Sequence, residues 1–288
     1  MKRFYALGCS FTNYAWPTWA DILGCEFDTY ENWAYPGLGN RAIAERVANL
    51  HASETLTPED TVIIQWTSHL RHDWHTLDQR HDTQPGVGWK TSGSIFNFIN
   101  ANLYDEKWIK TFFDEHSYMM HTLNNILLTQ KFLEGIGVNY YMTSMGYINK
   151  MNSDYPQDGN GEGESTNKID VWKDIPKLKQ YKDKIFNDRW LKPIGVFAWT
   201  HTEKPYKFII RNSVTPNIDR HPTINQHADY VNYVVKPKLN ISQNTPEQVE
   251  KWIDIVNNCY TSTHGDFDYF VDSIGKQLKG WGNYYRGF

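Results

Sequence analysis

A serine, Ser10, stands two residues past a glycine at the end of the short apolar run Phe4-Tyr5-Ala6-Leu7. In open α/β sheets ligands bind at the carboxyl ends of strands, so this position turns a hydroxyl and a backbone N–H toward a crevice. Gly8 permits a tight approach there. A serine is a weak nucleophile unless a base lies within hydrogen-bond reach. Asp219-Arg220-His221 supplies one: the imidazole as base, and a carboxylate two residues earlier to orient it and stabilise its charged form. A third element, Asn32-Trp33-Ala34-Tyr35-Pro36-Gly37-Leu38-Gly39-Asn40, is a glycine-rich turn whose N–H groups can meet a developing oxyanion. Taken singly, each has an ordinary meaning. Such a serine usually caps a helix, Asp219 can do the same, and the glycines can simply turn the chain.

The elements that must position these groups read as an α/β alternation. Arg3 to Cys9 is a first strand and Trp16 to Leu23 a helix. A second strand ends near Asn32. Asn40 then caps a helix striped by Ile43, Ala44, Val47 and Leu50. Thr61 to Trp66 is a continuous β-branched run, suited to a parallel strand covered on both faces. Residues 70–110 lack periodicity and read as a long loop or irregular insertion, where binding residues often sit. A helix from about Asp114 to Glu134 carries Met119, Met120, Leu123, Ile126 and Leu127 near one face and ends at Gly135 and Gly137. Val138 to Met145 is a further strand. The alternation implies right-handed crossovers.

From Gly146 to about Pro205 the pattern breaks again. Gln157 to Glu164 reads as a solvated acidic loop rather than a calcium loop, since the helix-flanked ligand pattern is missing. Asp219-Arg220-His221-Pro222 opens a helix striped by Ile224, Ala228, Val231 and Val235. Thr245-Pro246-Glu247-Gln248 is a capping box before Val249, Trp252, Ile253 and Val256. Phe267, Phe270, Val271, Ile274 and Leu278 stripe a last helix. The reading divides the chain into a main domain, 1–240, with insertions at about 70–110 and 146–205, and a helical extension, 241–288, packed on that domain or on a second copy.

Composition narrows the classes. At 288 residues, 40% hydrophobic and 22% charged, the chain can bury a sizeable core. A formal charge of −4 gives no general attraction to phosphate backbones, which argues against nucleic acid as a partner. Cys9, Cys25 and Cys259 are too few and scattered for a disulfide framework or a zinc site, so a reducing compartment is the easier reading. No signal-peptide pattern opens the sequence and no apolar run is long enough to span a bilayer; the expectation is a cytoplasmic protein without a membrane partner. The 12 Trp and 18 Tyr are high for this length. Most read as core, while flat aromatic faces also stack on sugars.

Together the three chemical blocks resemble the SGNH, or GDSL-like, hydrolase superfamily. Gly8-Cys9-Ser10-Phe11-Thr12 is similar to its first block, with Cys9 where the family usually has Asp. Asn32 to Gly39 is similar to the second, and Asp219-Arg220-His221-Pro222 to the last. The resemblance spans about residues 1–240 and implies a three-layer sandwich of flavodoxin-like type, a parallel sheet between helices. It implies Ser10 as nucleophile, His221 as base, Asp219 as its orienter, and the N–H groups of Ser10 and Gly37 as oxyanion donors. One block departs. Where the family has Gly-x-Asn-Asp, this chain has Gln65-Trp66-Thr67-Ser68-His69-Leu70-Arg71, so Ser68, His69 or Arg71 must replace the Asn donor. Losing one such donor costs roughly 10²–10³ in turnover. Asn40, Trp66 and Thr67 are the expected substrate contacts.

The expected reaction is hydrolysis of a small-molecule or glycan ester, such as a carbohydrate O-acetyl, with no cofactor and no metal. Two alternatives stand beside it: a weakly active or non-catalytic carbohydrate-binding protein on the same fold, and an O-acyltransferase. His69, His72 and His75, with His81 nearby, raise a metal reading, but no carboxylate pattern of a catalytic zinc helix accompanies them. His264 has no assigned role. A homo-oligomer through the C-terminal helices is a further expectation.

Overall fold

The computed structural model describes residues 2–75, 89–94, 106–151, 169–209 and 217–282. The predicted strands form one parallel sheet. Strands β1 (Arg3–Leu7), β2 (Thr29–Asn32) and β3 (Thr61–Trp66) are joined by β6 (Asn139–Ser144) in the order β2-β1-β3-β6. Stiff β-branched side chains favour the extended backbone of Thr61 to Ile64. All six β3 residues are buried because the strand lies between two neighbours. Helix α1 (Trp19–Gly24) follows β1, α2 (Asn40–Glu54) follows β2, and α4 (Glu115–Ile136) precedes β6.

Side-chain alternation along the strands makes two apolar layers. Phe4, Ala6 and Ile63 point to one face, where they meet Ile22 and Leu23 of α1. Tyr5, Leu7, Val62, Ile64 and Trp66 point to the other, against Ile43, Val47 and Leu50 of α2 and Leu123 and Ile126 of α4. Each fully buried aliphatic side chain contributes roughly 1.5–3 kcal/mol by leaving water. The result is the expected helix–sheet–helix sandwich.

The segment read as irregular, 70–110, holds more order than its sequence suggests. Arg71–His75 (β4) pairs antiparallel with Trp89–Ser94 (β5), and α3 covers Glu106–Phe112. Pairing across a long gap leaves no local periodicity to read. Asp114 caps α4 by accepting the Ser117 N–H, and Gly137 ends the helix in the left-handed region. Beyond β6 come the two-residue strands β7 (Lys150–Met151) and β8 (Ile169–Asp170), single-turn helices α5 (Val171–Asp174), α6 (Pro176–Lys179) and α7 (Lys182–Ile185), and α8 (Ile194–Trp199). The acidic run Gln157 to Glu164 lies outside the described residues. Strands β9 (Lys207–Phe208) and β10 (Asn217–Ile218) form a small antiparallel pair.

Four predicted helix starts are corrected. Helix α1 begins at Trp19, behind a Thr18 cap, and not at Trp16. Helix α2 has Gly39, not Asn40, at its cap, and the Asn40 amide is turned to Thr67 instead. Helix α9 (Ile224–Tyr230) begins after Asp219 to Pro222, because Thr223 and Gln226 form the capping box. It runs through a wider π turn, Val231–Val235, into α10 (Lys236–Leu239). Pro246, not Thr245, caps α11 (Glu247–Ser262), and the Thr245 hydroxyl accepts from Asn232. Helix α12 (Phe267–Gln277) follows as expected. Val249 and Val256 of α11 and Phe270 and Ile274 of α12 share a core cluster with Phe4 and Ala6, so the extension packs on the sheet side that also holds α1 and α9. Among the described residues no helix is long and apolar enough to cross a membrane.

Candidate active site

From β1 the chain crosses to β2 on one side and returns to β3 on the other. The strand order therefore reverses at the carboxyl end of β1, where a crevice opens in folds of this kind. Ser10 sits there, 8% exposed. Its turn is closed by N–H groups of Thr12 and Asn13 donating to the Cys9 carbonyl at 2.9 and 3.1 Å. From below, the fully buried Gln65 of β3 supports the same turn. Its Oε1 accepts from the Cys9 N–H, the Cys9 thiol and the Thr12 hydroxyl, each at 3.2 Å. Gln65 was not among the expected site residues, and only its place at the carboxyl end of a predicted strand hinted at it.

His221 comes to the same place from the far end of the chain. Its Nδ1 lies 2.6 Å from Asp219 Oδ1, which also accepts the His221 N–H at 2.8 Å. A carboxylate at Nδ1 fixes the tautomer with its proton there, leaving the Nε2 lone pair to act as base. The other Asp219 oxygen accepts the Tyr14 hydroxyl at 3.0 Å, and the Tyr14 ring stacks on the imidazole at 3.7 Å and 20°. Phe11, next in chain to Ser10, meets the imidazole edge-on at 5.2 Å. One turn thus carries both the serine and the two rings that hold the histidine. No hydrogen bond joins Ser10 and His221 among the described residues. Catalytic hydrogen bonds are often long before substrate binds and tighten afterwards.

The second block enters through hydrogen bonds from the Trp33 N–H to the Ala6 carbonyl and from the Tyr35 N–H to the Gly8 carbonyl, at 2.8 and 3.2 Å. Tyr35-Pro36-Gly37-Leu38 then closes on itself, the Leu38 N–H donating to the Tyr35 carbonyl, with Gly37 at φ 88°. Proline second and a positive-φ glycine third are the marks of a type II turn. Neither the Gly37 N–H nor the Ser10 N–H is taken by an internal acceptor among the described residues.

The expected replacements for the missing Asn are all engaged. Ser68 Oγ accepts the Leu70 N–H at 3.2 Å, which leaves its own proton to donate. His69 Nε2 lies 3.0 Å from Glu115, and Arg71 donates to the Leu38 carbonyl at 2.9 Å. The three expected substrate contacts are buried. Trp66 is wholly buried in β3. Asn40 and Thr67 are buried too, tied by a reciprocal pair in which the Thr67 N–H donates to Asn40 Oδ1 and Asn40 Nδ2 donates to the Thr67 carbonyl. They brace the wall behind the crevice. Thr67, Ser68 and His69 instead line a small pocket with Tyr147 and Ile148, beyond the end of β6. His72 Nδ1 pairs with the Tyr118 hydroxyl, apart from His69, and the His75 and His81 side chains lie outside the described residues. Among the described residues no group of three or more His, Cys, Asp or Glu is placed to hold a metal ion.

No family model matches this chain. No curated protein matches it either. Solved structures similar to it include a member of the lipolytic G-D-S-L protein family from Veillonella parvula, 11% identical, covering 81% of this chain and 98% of that one, with a TM-score of 0.39. Another is the YXIM protein of Bacillus subtilis, 10% identical, covering 65% of this chain and 44% of that one, with a TM-score of 0.33. This chain thus spans less than half of the Bacillus protein.

Proposed function

We propose that the chain is a serine esterase of SGNH type that cleaves a small ester through an acyl-enzyme. The observation that carries this reading is the convergence on one turn: Ser10, and the Phe11 and Tyr14 rings that hold the Asp219-paired His221 beside it. Ser10 Oγ attacks the ester carbonyl carbon as His221 Nε2 takes its proton. The tetrahedral oxyanion receives the N–H groups of Ser10 and Gly37, and the Ser68 hydroxyl is the third donor. Collapse expels the alcohol, protonated by His221, and leaves the acyl group on Ser10. Water, deprotonated by the same imidazole, then releases the acid. Positioned general bases are worth about 10²–10⁴ in rate, and each oxyanion donor about 10²–10³.

A carbohydrate O-acetyl group is the proposed ester, the 12 Trp and 18 Tyr of the chain offering flat faces of the kind that stack on sugars. The test compares wild type with Ser10→Ala on 4-nitrophenyl acetate and on acetylated xylan, and labels Ser10 with a fluorophosphonate. The reading expects turnover and labelling that vanish together in Ser10→Ala. Equal rates in both proteins sink the nucleophile, and turnover of the nitrophenyl ester alone removes the carbohydrate.

A further inference from the structure

Gly37 owes its place in part to residues that the three chemical blocks do not contain. On the entry side the Tyr35 N–H is tied to the Gly8 carbonyl, two residues before Ser10. On the exit side the anchors come from β4. Arg71 Nη1 donates to the Leu38 carbonyl at 2.9 Å. Asp73 Oδ1 accepts the Gly39 N–H at 2.8 Å, and its Oδ2 the Ala42 N–H at 3.2 Å.

These last two are orphan donors at the start of α2, a helix whose cap residue, Gly39, has no side chain to satisfy them. Asp73 does the work of a cap from 34 residues away. Its carboxylate also meets the positive end of a 15-residue helix, where negative charge is favoured. The fit is close: a Cβ on Gly39 would lie 2.4 Å from Asp73 Oδ2 and 3.1 Å from the Arg71 Cβ. Strand register shifts between Arg71 and Asp73, and irregularities of this kind re-aim side chains. Both side chains reach one turn.

We propose that Arg71 and Asp73 are positioning residues, a clamp from β4 that holds the Gly37 N–H in register with Ser10. The proposal rests on the esterase reading and deepens it. The segment after β3, where the resembled family has its third block, here also fixes the second donor from behind. Asp73 is 3% exposed, so the clamp operates inside the protein and touches no substrate.

The test has two arms on the full-length chain. Amide exchange compares wild type with Asp73→Ala. The expected result is exchange about tenfold or more faster at Gly39 and Ala42, with the amides of β1 and β3 unchanged. Unchanged exchange at Gly39 and Ala42 overturns the clamp, whether or not any ester is turned over. Kinetics on 4-nitrophenyl acetate expect kcat to fall about 10–100-fold with KM held within about twofold, since a misplaced donor harms only the transition state. Asp73→Asn, which keeps one acceptor oxygen, restores part of kcat and part of the protection. Arg71→Met, which removes the Leu38 bond and a charge near Asp73 but neither Asp73 hydrogen bond, lowers kcat less and serves if the Asp73 variants do not fold. A folded Asp73→Ala protein with unchanged kcat overturns the positioning role. If wild type turns over no ester and Ser10 takes no label, the esterase reading falls, and the exchange arm still decides the clamp.

Discussion

His227, on the buried face of α9, makes the stability of this protein sensitive to acid in a way that one substitution can isolate. The side chain is fully buried, and neither ring nitrogen meets a partner among the described residues. Burial, with a smaller contribution from nearby His221, depresses its pKa from 6.5 to about 3. The folded state therefore binds fewer protons than the unfolded state through that window. The stability it carries is fully present above the unfolded value and is lost as pH falls toward the folded one. Each pH unit in the window costs about 1.4 kcal/mol, so a drop from near pH 6.5 to near pH 5 costs about 2 kcal/mol. Asp73 works in the opposite sense. Burial raises it from 3.8 to about 6, so its ionised form burdens the fold, and protonation between those values relieves the burden. By about pH 5 that relief returns roughly 1.4 kcal/mol, which hides much of the histidine's effect in the wild type. His227→Leu keeps a similar volume and removes both unpaired nitrogens. Urea unfolding near pH 6.5 and near pH 5 is expected to show the variant gaining about 2 kcal/mol on wild type over that interval. Parallel pH dependence in the two proteins refutes the reasoning.

Two further substitutions probe the site. Tyr14→Phe keeps the ring on His221 and loses the hydroxyl bond to Asp219, while Tyr14→Leu loses both. Stacking an aromatic face on an imidazolium is worth about 0.5–2 kcal/mol, so kcat/KM for 4-nitrophenyl acetate is expected to fall further in the Leu variant than in the Phe variant. The reverse order argues against the ring's role. Gln65→Leu leaves the Cys9 N–H and the Thr12 hydroxyl buried without their acceptor. Each such group costs roughly 1–3 kcal/mol, and a thermal melt is expected to show a clear drop in Tm; a Tm equal to wild type would mean that the turn beneath Ser10 does not depend on Gln65.

Much of the scaffold was legible in the residues. The β-branched run of β3 and the apolar strand before Ser10 announce a parallel sheet, because strands covered on both faces read as near-continuous apolar runs. The long helix expected from about Asp114 to Glu134 stands as α4, which runs on through Gly135 and stops at Gly137. The antiparallel pairing of β4 with β5 was not legible, since it joins segments without shared periodicity. Trp66 shows the converse limit: a large aromatic beside a crevice reads as a contact until its burial is known.

Residue types and chain order alone determined the chemistry on offer: a serine after a strand, a glycine turn, and an aspartate paired with a histidine two residues on. Local spacing suffices for that pair, which the structure finds at 2.6 Å. Tertiary structure decided everything that joins distant segments. Tyr14 and Asp219 are 205 residues apart, and Asp73 and Gly39 are 34 apart, so no periodicity links them. Folding chose which N–H groups were consumed inside the protein and which, at Ser10 and Gly37, were left without an internal acceptor among the described residues. The physical reason is that hydrogen bonds between remote segments follow from how the layers pack, and a linear pattern carries only the propensities of neighbours.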